Sequence, residues 1–379
     1  FGKRFNMTFE TIKLSTASVG SQAHINVHRF GPSGGKKVYI QAGLHADEHP
    51  GLLVAQHLLR HLELLEKQGA LKAEIVLVPF ANPIGLRQRS FGHVVGRCDW
   101  HTGQNFNRNM AINTDQVMAT LSDSFGDDLI ENDQIMRAGL KTLVSQRTDD
   151  FEINSLHKAL LLHSIDAHYV LDLHCDDVAL PHMFYGVHQA ETGAVLANAM
   201  GFSICLEEDV TGTVAFDGTH TQPWVNMEKH LGRPVFSKPC FAATLELRGR
   251  GDVSPELAEQ DCLGILDFLT NENLIDRVPT PQKPVELKQL GVDQVKMVRA
   301  SISGIVTYRS KLGDTLKAGE PFADIVLLDS PTAKSVPILA PCDGYLFSAT
   351  GHYFTTKGDT IAMLATTEQQ NKAGTQLAF

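Results

Sequence analysis

The chain has 379 residues, 43% of them hydrophobic and 20% charged, with a formal net charge of −10. That balance suits a folded globular protein and excludes a fibre or a disordered chain, and the length exceeds one ordinary hydrophobic core, so two domains are expected. The acidity works against nucleic-acid backbones and anionic membranes as partners, while leaving homo-oligomerisation open. Six cysteines (Cys98, Cys175, Cys205, Cys240, Cys262, Cys342) are scattered without a C-x-x-C pair, the usage of reduced thiols in the cytoplasm. No basic region followed by an apolar run opens the chain. No stretch approaches the roughly 18 continuous apolar residues of a membrane span, so a cytoplasmic location is expected.

Taken in chain order, apolar spacing predicts a buried strand over 37–43 (KVYIQAG) and a helix over 51–66, with Pro50 in its first turn. A strand over 73–80 stops at Asn82-Pro83. Helical periodicity dominates from about 129 to 163, followed by strands over 167–173 and 241–247 and a closing helix over 255–271. Alternating strands and helices imply an α/β domain with a mixed, largely parallel sheet flanked by helices, where sites gather at the carboxyl ends of strands. Pro279, Pro281 and Pro284 mark a linker within 276–290, dividing the chain into 1–280 and 281–379. In the second part Ala300-Ser-Ile-Ser-Gly304-Ile-Val recurs as Ala340-Pro-Cys-Asp-Gly344-Tyr-Leu, a repeat of about 40 residues. This all-β pattern resembles the barrel-sandwich hybrid of biotinyl and lipoyl carriers. Lys334, nearest the hairpin between the halves, lacks the Met-Lys-Met or Asp-Lys-Ala setting of a modified lysine, so the module is read as structural or gating.

The chemistry sits at three strand ends. Gly43-Leu44-His45-Ala46-Asp47-Glu48 places a histidine and a carboxylate three residues apart in a loop, Leu171-Asp172-Leu173-His174 ends a second strand, and Thr244-Leu245-Glu246 ends a third. His45, Glu48 and His174 supply the three protein ligands of a catalytic zinc site with an open fourth position, and the bound water loses its proton near neutrality. Glu246 is then a candidate general base. An H-x-x-E alone also arises when a glutamate complements a helix dipole and a histidine solvates a loop; Asp47 and His49 are alternative ligands. His182, His188 and His220 read as solvated loop histidines, with Asp217-Gly218-Thr219-His220 a flexible turn from which His220 can reach the pocket. Cys175 reads as core rather than nucleophile.

The ordered set Gly43-x-His45-x-x-Glu48, Asn82-Pro83-x-Gly85, Asn107-Arg108, Asp172-Leu173-His174 and Thr244-x-Glu246-Leu247 resembles the succinylglutamate desuccinylase and aspartoacylase family, built on the zinc carboxypeptidase fold. The resemblance spans most of 35–275, and the trailing β-domain also looks like that family's. It implies one zinc ion per chain on His45, Glu48 and His174, Glu246 as base, and Arg108 with Asn107 as the clamp for a substrate carboxylate. A guanidinium fork suits that task. The family's second arginine, which steadies the oxyanion, is Arg97 or Arg89; Arg97 lies fifteen residues past Asn82, a spacing similar to that of carboxypeptidases, and is favoured. Where the family commonly has Asp-Leu-Asn-Arg this chain has Asn105-Phe106-Asn107-Arg108, which removes a negative charge beside a ligand histidine.

The resulting expectation is a metal-dependent deacylase that hydrolyses an N-acyl amide of a small carboxylate-bearing substrate such as an N-acyl amino acid. A metallocarboxypeptidase or small-amide or ester hydrolase on the same site is the first rival. A non-catalytic zinc-binding or carrier-like protein is the second.

Overall fold

The computed structural model describes residues 8–15, 18–209, 215–281, 285–329, 332, 334–371 and 377. Pro284 of the expected linker lies outside them. In chain order, strands β1 (Thr8–Lys13), β2 (His24–Phe30) and β3 (Lys37–Ala42) lead into helix α1 (Pro50–Lys67), then β4 (Glu74–Val78). Next come α2 (Pro83–Arg87), the short strands β5 (Arg89–Ser90) and β6 (His93–Val94), and helices α3 (Thr114–Leu121), α4 (Leu129–Ser145) and α5 (Glu152–Ser164). The chain continues through β7 (Tyr169–Asp176), β8 (Val178–Ala179), β9 (His182–Gly186), α6 (Ala190–Met200), β10 (Ile204–Glu208), α7 (Phe216–Leu231), β11 (Phe241–Gly249) and α8 (Pro255–Asn271).

Nine strands form one sheet in the order β1-β2-β4-β3-β7-β11-β9-β10, closed at its edge by β12 (Lys288–Gly291). The central pairs β4–β3, β3–β7 and β7–β11 are parallel, whereas β2–β4 and β11–β9 are antiparallel. Central strands must bury both faces, and two cores show this. Val38, Ile40, Leu171, Leu173 and Leu245 pack under the α1, α6 and α8 side, while Tyr39, Val76, Val170 and Ala242 pack under α4, α5 and α7. The stripe Val54, Ala55, Leu58, Leu62 and Leu65 seats α1 on the first core, and Pro50 at its start needs no amide partner. The helical stretch near 129–163 is two helices, α4 opening on the Asp128 side chain, which caps Ile130 and Glu131, and α5 beginning after the polar segment 146–150 and Phe151.

The remaining strands are β13 (Val295–Arg299), β14 (Gly304–Tyr308), β15 (Thr315–Leu316), β16 (Pro321–Val326), β17 (Val336–Leu339), β18 (Gly344–Ala349), β19 (Phe354–Thr355) and β20 (Thr360–Ala365). They form two sheets, β13-β20-β18-β15 and β17-β16-β14-β19, so each half of the repeat lends a short strand to the other's sheet. This region is tied to the first. β12 completes the large sheet, β8 pairs with β18, and Asp176 Oδ2 accepts a 2.6 Å hydrogen bond from Ser348. Among the described residues no helix is long and apolar enough to cross a membrane.

Two close approaches fix the loop that follows β3. Gly43 adopts φ +72°, a left-handed conformation that glycine takes without strain. Ala46 donates its amide to Gly96 O at 3.0 Å, and a Cβ on Gly96 would sit 2.6 Å from the Ala46 Cβ. Gly96→Ala is therefore expected to cost about 1–3 kcal/mol in urea unfolding, since the loop carrying Ala46 must shift. Gly35→Ala, whose Cβ meets nothing within 4 Å, should stay within about 0.5 kcal/mol of the parent.

Candidate metal centre and substrate cavity

The parallel register delivers the chemistry. β3, β7 and β11 run side by side with Gln41 opposite Asp172, Thr244 opposite Asp172 and Glu246 opposite His174. Residues two apart on a strand share a face, so Asp172 and His174 lie on one side together with Thr244 and Glu246. The loop after β3 returns His45 and Glu48 to this side.

The three residues converge. One ligand atom from each of His45, Glu48 and His174 lies within 4.8 Å of the others, and all three side chains are buried. Glu48 bridges the imidazoles, Oε1 at 2.9 Å from His45 Nδ1 and Oε2 at 2.8 Å from His174 Nδ1. The far ring nitrogens are held as well, His45 Nε2 by Asn105 Oδ1 and His174 Nε2 by Asp172 Oδ2, each at 2.9 Å. Asp172 is fixed in turn by Gln41 Nε2 at 3.0 Å, and Gln41 by the Tyr39 hydroxyl at 2.8 Å. With Nε2 held by these oxygens, each ring turns its Nδ1 toward the Glu48 carboxylate, the position from which a cation would take the place of the ring proton. A divalent cation fits that arrangement, and outer partners of this kind are what metal-bound histidines have. The donor set of two imidazoles and a carboxylate fits zinc.

The charges at the centre are interdependent. Burial raises the Glu48 carboxyl, but the His45 and His174 imidazoles outweigh it and hold Glu48 well below the usual range. Burial lowers His174, yet Asp172 and Glu48 hold it well above. For His45 burial prevails over the pull of Glu48, and its pKa falls.

Glu246 faces the centre with Oε2 buried and without a hydrogen-bond partner. Burial and the nearby Glu48 charge push its carboxyl well above the usual range. It is not paired with its neighbour Arg248, which bonds Asp261 instead. Arg97 lines the same cavity, with Nη1 at 2.9 Å from Glu48 Oε1, whereas Arg89 is exposed on β5 and is not part of the lining. Arg108 is half-buried in the wall, its Nη1 donating to Asn107 O at 2.7 Å; Asn107 Oδ1 accepts the Phe216 amide at 2.8 Å and so ties this loop to the start of α7. Asp47 bonds Arg250 and His49 is exposed at the start of α1, so neither joins the ligand group. Cys175 is buried, its thiol pushed up by burial and by Glu48, and its amide donates to Glu48 Oε2 at 3.0 Å.

Two histidine readings are corrected. His220 is not in a turn: 217–220 forms the first turn of α7, where the Asp217 charge complements the helix dipole. Its ring is fully buried, bonded to Phe216 O at 2.7 Å and Ser164 Oγ at 2.8 Å, and it is not in the cavity wall. His182 lies on β9, buried, 4.0 Å from Asp176 and inside the cavity wall. His188 is exposed, as its solvated reading requires.

The cavity, about 220 Å³, also takes residues that no motif flagged. Glu208 at the end of β10 and Asp217 on α7 stand near Arg108, and His352 and Met363 reach in from the C-terminal sheets. Glu208 ends a strand, the one signal that pointed to it.

A family model, the succinylglutamate desuccinylase/aspartoacylase catalytic domain, matches residues 34–271. The chain belongs to this family. Two solved family structures, from Shewanella amazonensis SB2B and Shewanella frigidimarina NCIMB 400, are each 24% identical with a TM-score of 0.83. The alignment covers 95% of this chain and 99% of the first, and 96% and 98% for the second. A succinylglutamate desuccinylase/aspartoacylase from Rhodobacter sphaeroides is 16% identical with a TM-score of 0.64, over 95% of this chain and 94% of its own. At these identities the likeness is one of fold. No curated protein matches the chain. Asn105 accepts from His45 as a neutral oxygen.

Burial and the neighbouring Asp217 push the Glu208 carboxyl up to about 8. A raised folded pKa means that the native state holds the proton more tightly, so this group's contribution is complete below its ordinary range and is lost as pH rises through about 8. Glu208→Gln should accordingly gain thermal stability relative to the parent between pH 6 and pH 9. A constant difference between the two melting curves across that window would contradict the assignment.

Proposed function

We propose that this chain is a zinc-dependent hydrolase that cleaves the acyl–nitrogen bond of a small carboxylate-bearing substrate such as an N-acyl amino acid. The observation that carries the proposal is the convergence of His45 Nδ1, Glu48 and His174 Nδ1 with both outer ring nitrogens already bonded. Zinc held by these residues supplies a Lewis acid that polarises the scissile carbonyl and makes water acidic.

The protein's own groups carry the rest. Glu246, with its free Oε2 turned to the centre, takes the proton of the attacking water and returns it to the leaving nitrogen. Arg97 has a guanidinium in the wall that can turn from Glu48 to the developing oxyanion. Arg108 grips the substrate carboxylate through two parallel hydrogen bonds, and Asn107 fixes its loop by bonding the first residue of α7. Residues 1–280 form the catalytic domain in this reading. Residues 281–379 form a closing β-domain that shapes the pocket through His352 and Met363, and Lys334 is exposed but lacks the flanking residues of a carrier lysine. The unpaired state of all six cysteines supports a cytoplasmic setting.

Glu246→Gln should retain metal and lose about 10²–10⁴-fold in kcat, because the proton relay is gone. Arg108→Ala should raise KM about 10–100-fold for substrates with a free carboxylate, the equivalent of lost charge-assisted hydrogen bonds, and leave neutral amides unaffected. His174→Ala should cost metal content measured by atomic emission. Full activity of Glu246→Gln on a panel of N-acyl amino acids and peptides would remove the proposed base.

A further inference from the structure

A second constellation lies far from the cavity, where α1 packs on α8. His57 and His61 are four residues apart on α1, and Glu259 and Cys262 are three apart on α8, spacings that put each pair on one helix face. His61 Nε2 is 2.9 Å from Glu259 Oε1, and His57 Nδ1 is 2.6 Å from Glu259 Oε2. The ligand atoms of His61, Glu259 and Cys262 all lie within 4.8 Å of one another. His57 and His61 stand two to three turns, roughly 10–16 Å, along α1 from its first residue, so this group is separate from the centre at the strand ends.

We propose that His61 Nε2, the Glu259 carboxylate and Cys262 Sγ form a second site for a borderline-soft divalent cation such as zinc, with His57 orienting Glu259. Imidazole, carboxylate and thiolate together are a zinc donor set, and a site built from facing helices at these spacings is a recurrent way to hold a metal. Cys262 is fully buried, whereas the His61 and Glu259 side chains are 31% and 40% exposed, so the ion enters from the solvent side and meets the sulfur at the floor. On binding, the cation displaces the Cys262 thiol proton to solvent and is held by the thiolate. Contacts to His57 and His61, one on each oxygen, fix the Glu259 carboxylate above Cys262. The site clips α1, whose N-terminus follows the His45–Glu48 loop, to α8, which follows the strand bearing Glu246. One ion per chain is the expectation for the strand-end centre alone; this site raises the capacity to two.

Cobalt(II) titration of the metal-free full chain tests it, because a sulfur ligand gives a thiolate-to-cobalt charge-transfer absorption in the near ultraviolet. The chain should bind two equivalents, and one of them should carry that absorption. His174→Ala should keep the absorption while losing the other equivalent, so failure of the hydrolase reading is distinguishable from failure of this one. Cys262→Ser and the half-exposed His61→Ala should each abolish the absorption with the fold intact by circular dichroism. His57→Ala should weaken it about 10–100-fold in affinity. Absence of the absorption in the parent protein overturns the proposal, as does its persistence in Cys262→Ser, which would place the sulfur at Cys175 beside the first centre.

Discussion

The buried carboxylate of Glu48 lies between two imidazoles, and the rest of the strand-end centre is organised around that contact. An anion buried there is sustainable only with positive charge or donors on every side: His45 and His174 take one oxygen each, Arg97 shares the first and the Cys175 amide shares the second. Asp172 and Asn105 then determine which nitrogen of each ring faces inward. A half-satisfied network of this kind would be costlier than an apolar core, so the outer bonds are as much a part of the centre as the ligands.

The fold supplies that geometry through register. Parallel pairing of β7 with β11 sets Glu246 opposite His174, and a register shift just past Glu246 interrupts the ladder before Gly249 pairs again with Asp176. The second face of the same strands is largely apolar and rests on α1 and α8, which anchors them. The C-terminal sheets close the pocket by direct bonding: Asp177 Oδ2 accepts from the Thr350 hydroxyl at 3.1 Å and from the Gly351 amide at 2.6 Å, on the segment just after β7. The strand carrying His174 is thereby coupled to the segment that brings His352 into the cavity wall.

Much of this was legible in the chain. Strands buried on both faces read as continuous apolar runs, so polar residues inside them stand out; Asp172, His174 and Glu246 are conspicuous in AHYVLDLHC and FAATLELR for that reason. Asn105 was recognisable as a neutral neighbour of a ligand histidine because it sits two residues before Asn107-Arg108. His220 was not, since Asp-Gly-Thr-His has turn chemistry locally and only packing against Phe216 and Ser164 makes it helix. The partnership of Glu208 and Asp217 with Arg108 depends on β10 and α7 meeting across the cavity, a long-range fact with no local pattern. The pairing of β12 with β10 and of β8 with β18 was hidden for the same cause, since strands this short carry little periodicity.

The central claim is that both histidines present Nδ1 to one ion shared with Glu48. Anomalous diffraction at the zinc edge from crystals of the zinc-loaded protein measures it directly. The account predicts an ion about 2.0–2.1 Å from His45 Nδ1 and His174 Nδ1, with a Glu48 oxygen at about 2.0–2.2 Å and the Asn105 and Asp172 bonds to Nε2 intact. An ion bound through either Nε2, or a strand-end centre that takes no zinc while His45, Glu48 and His174 keep their places, would contradict it.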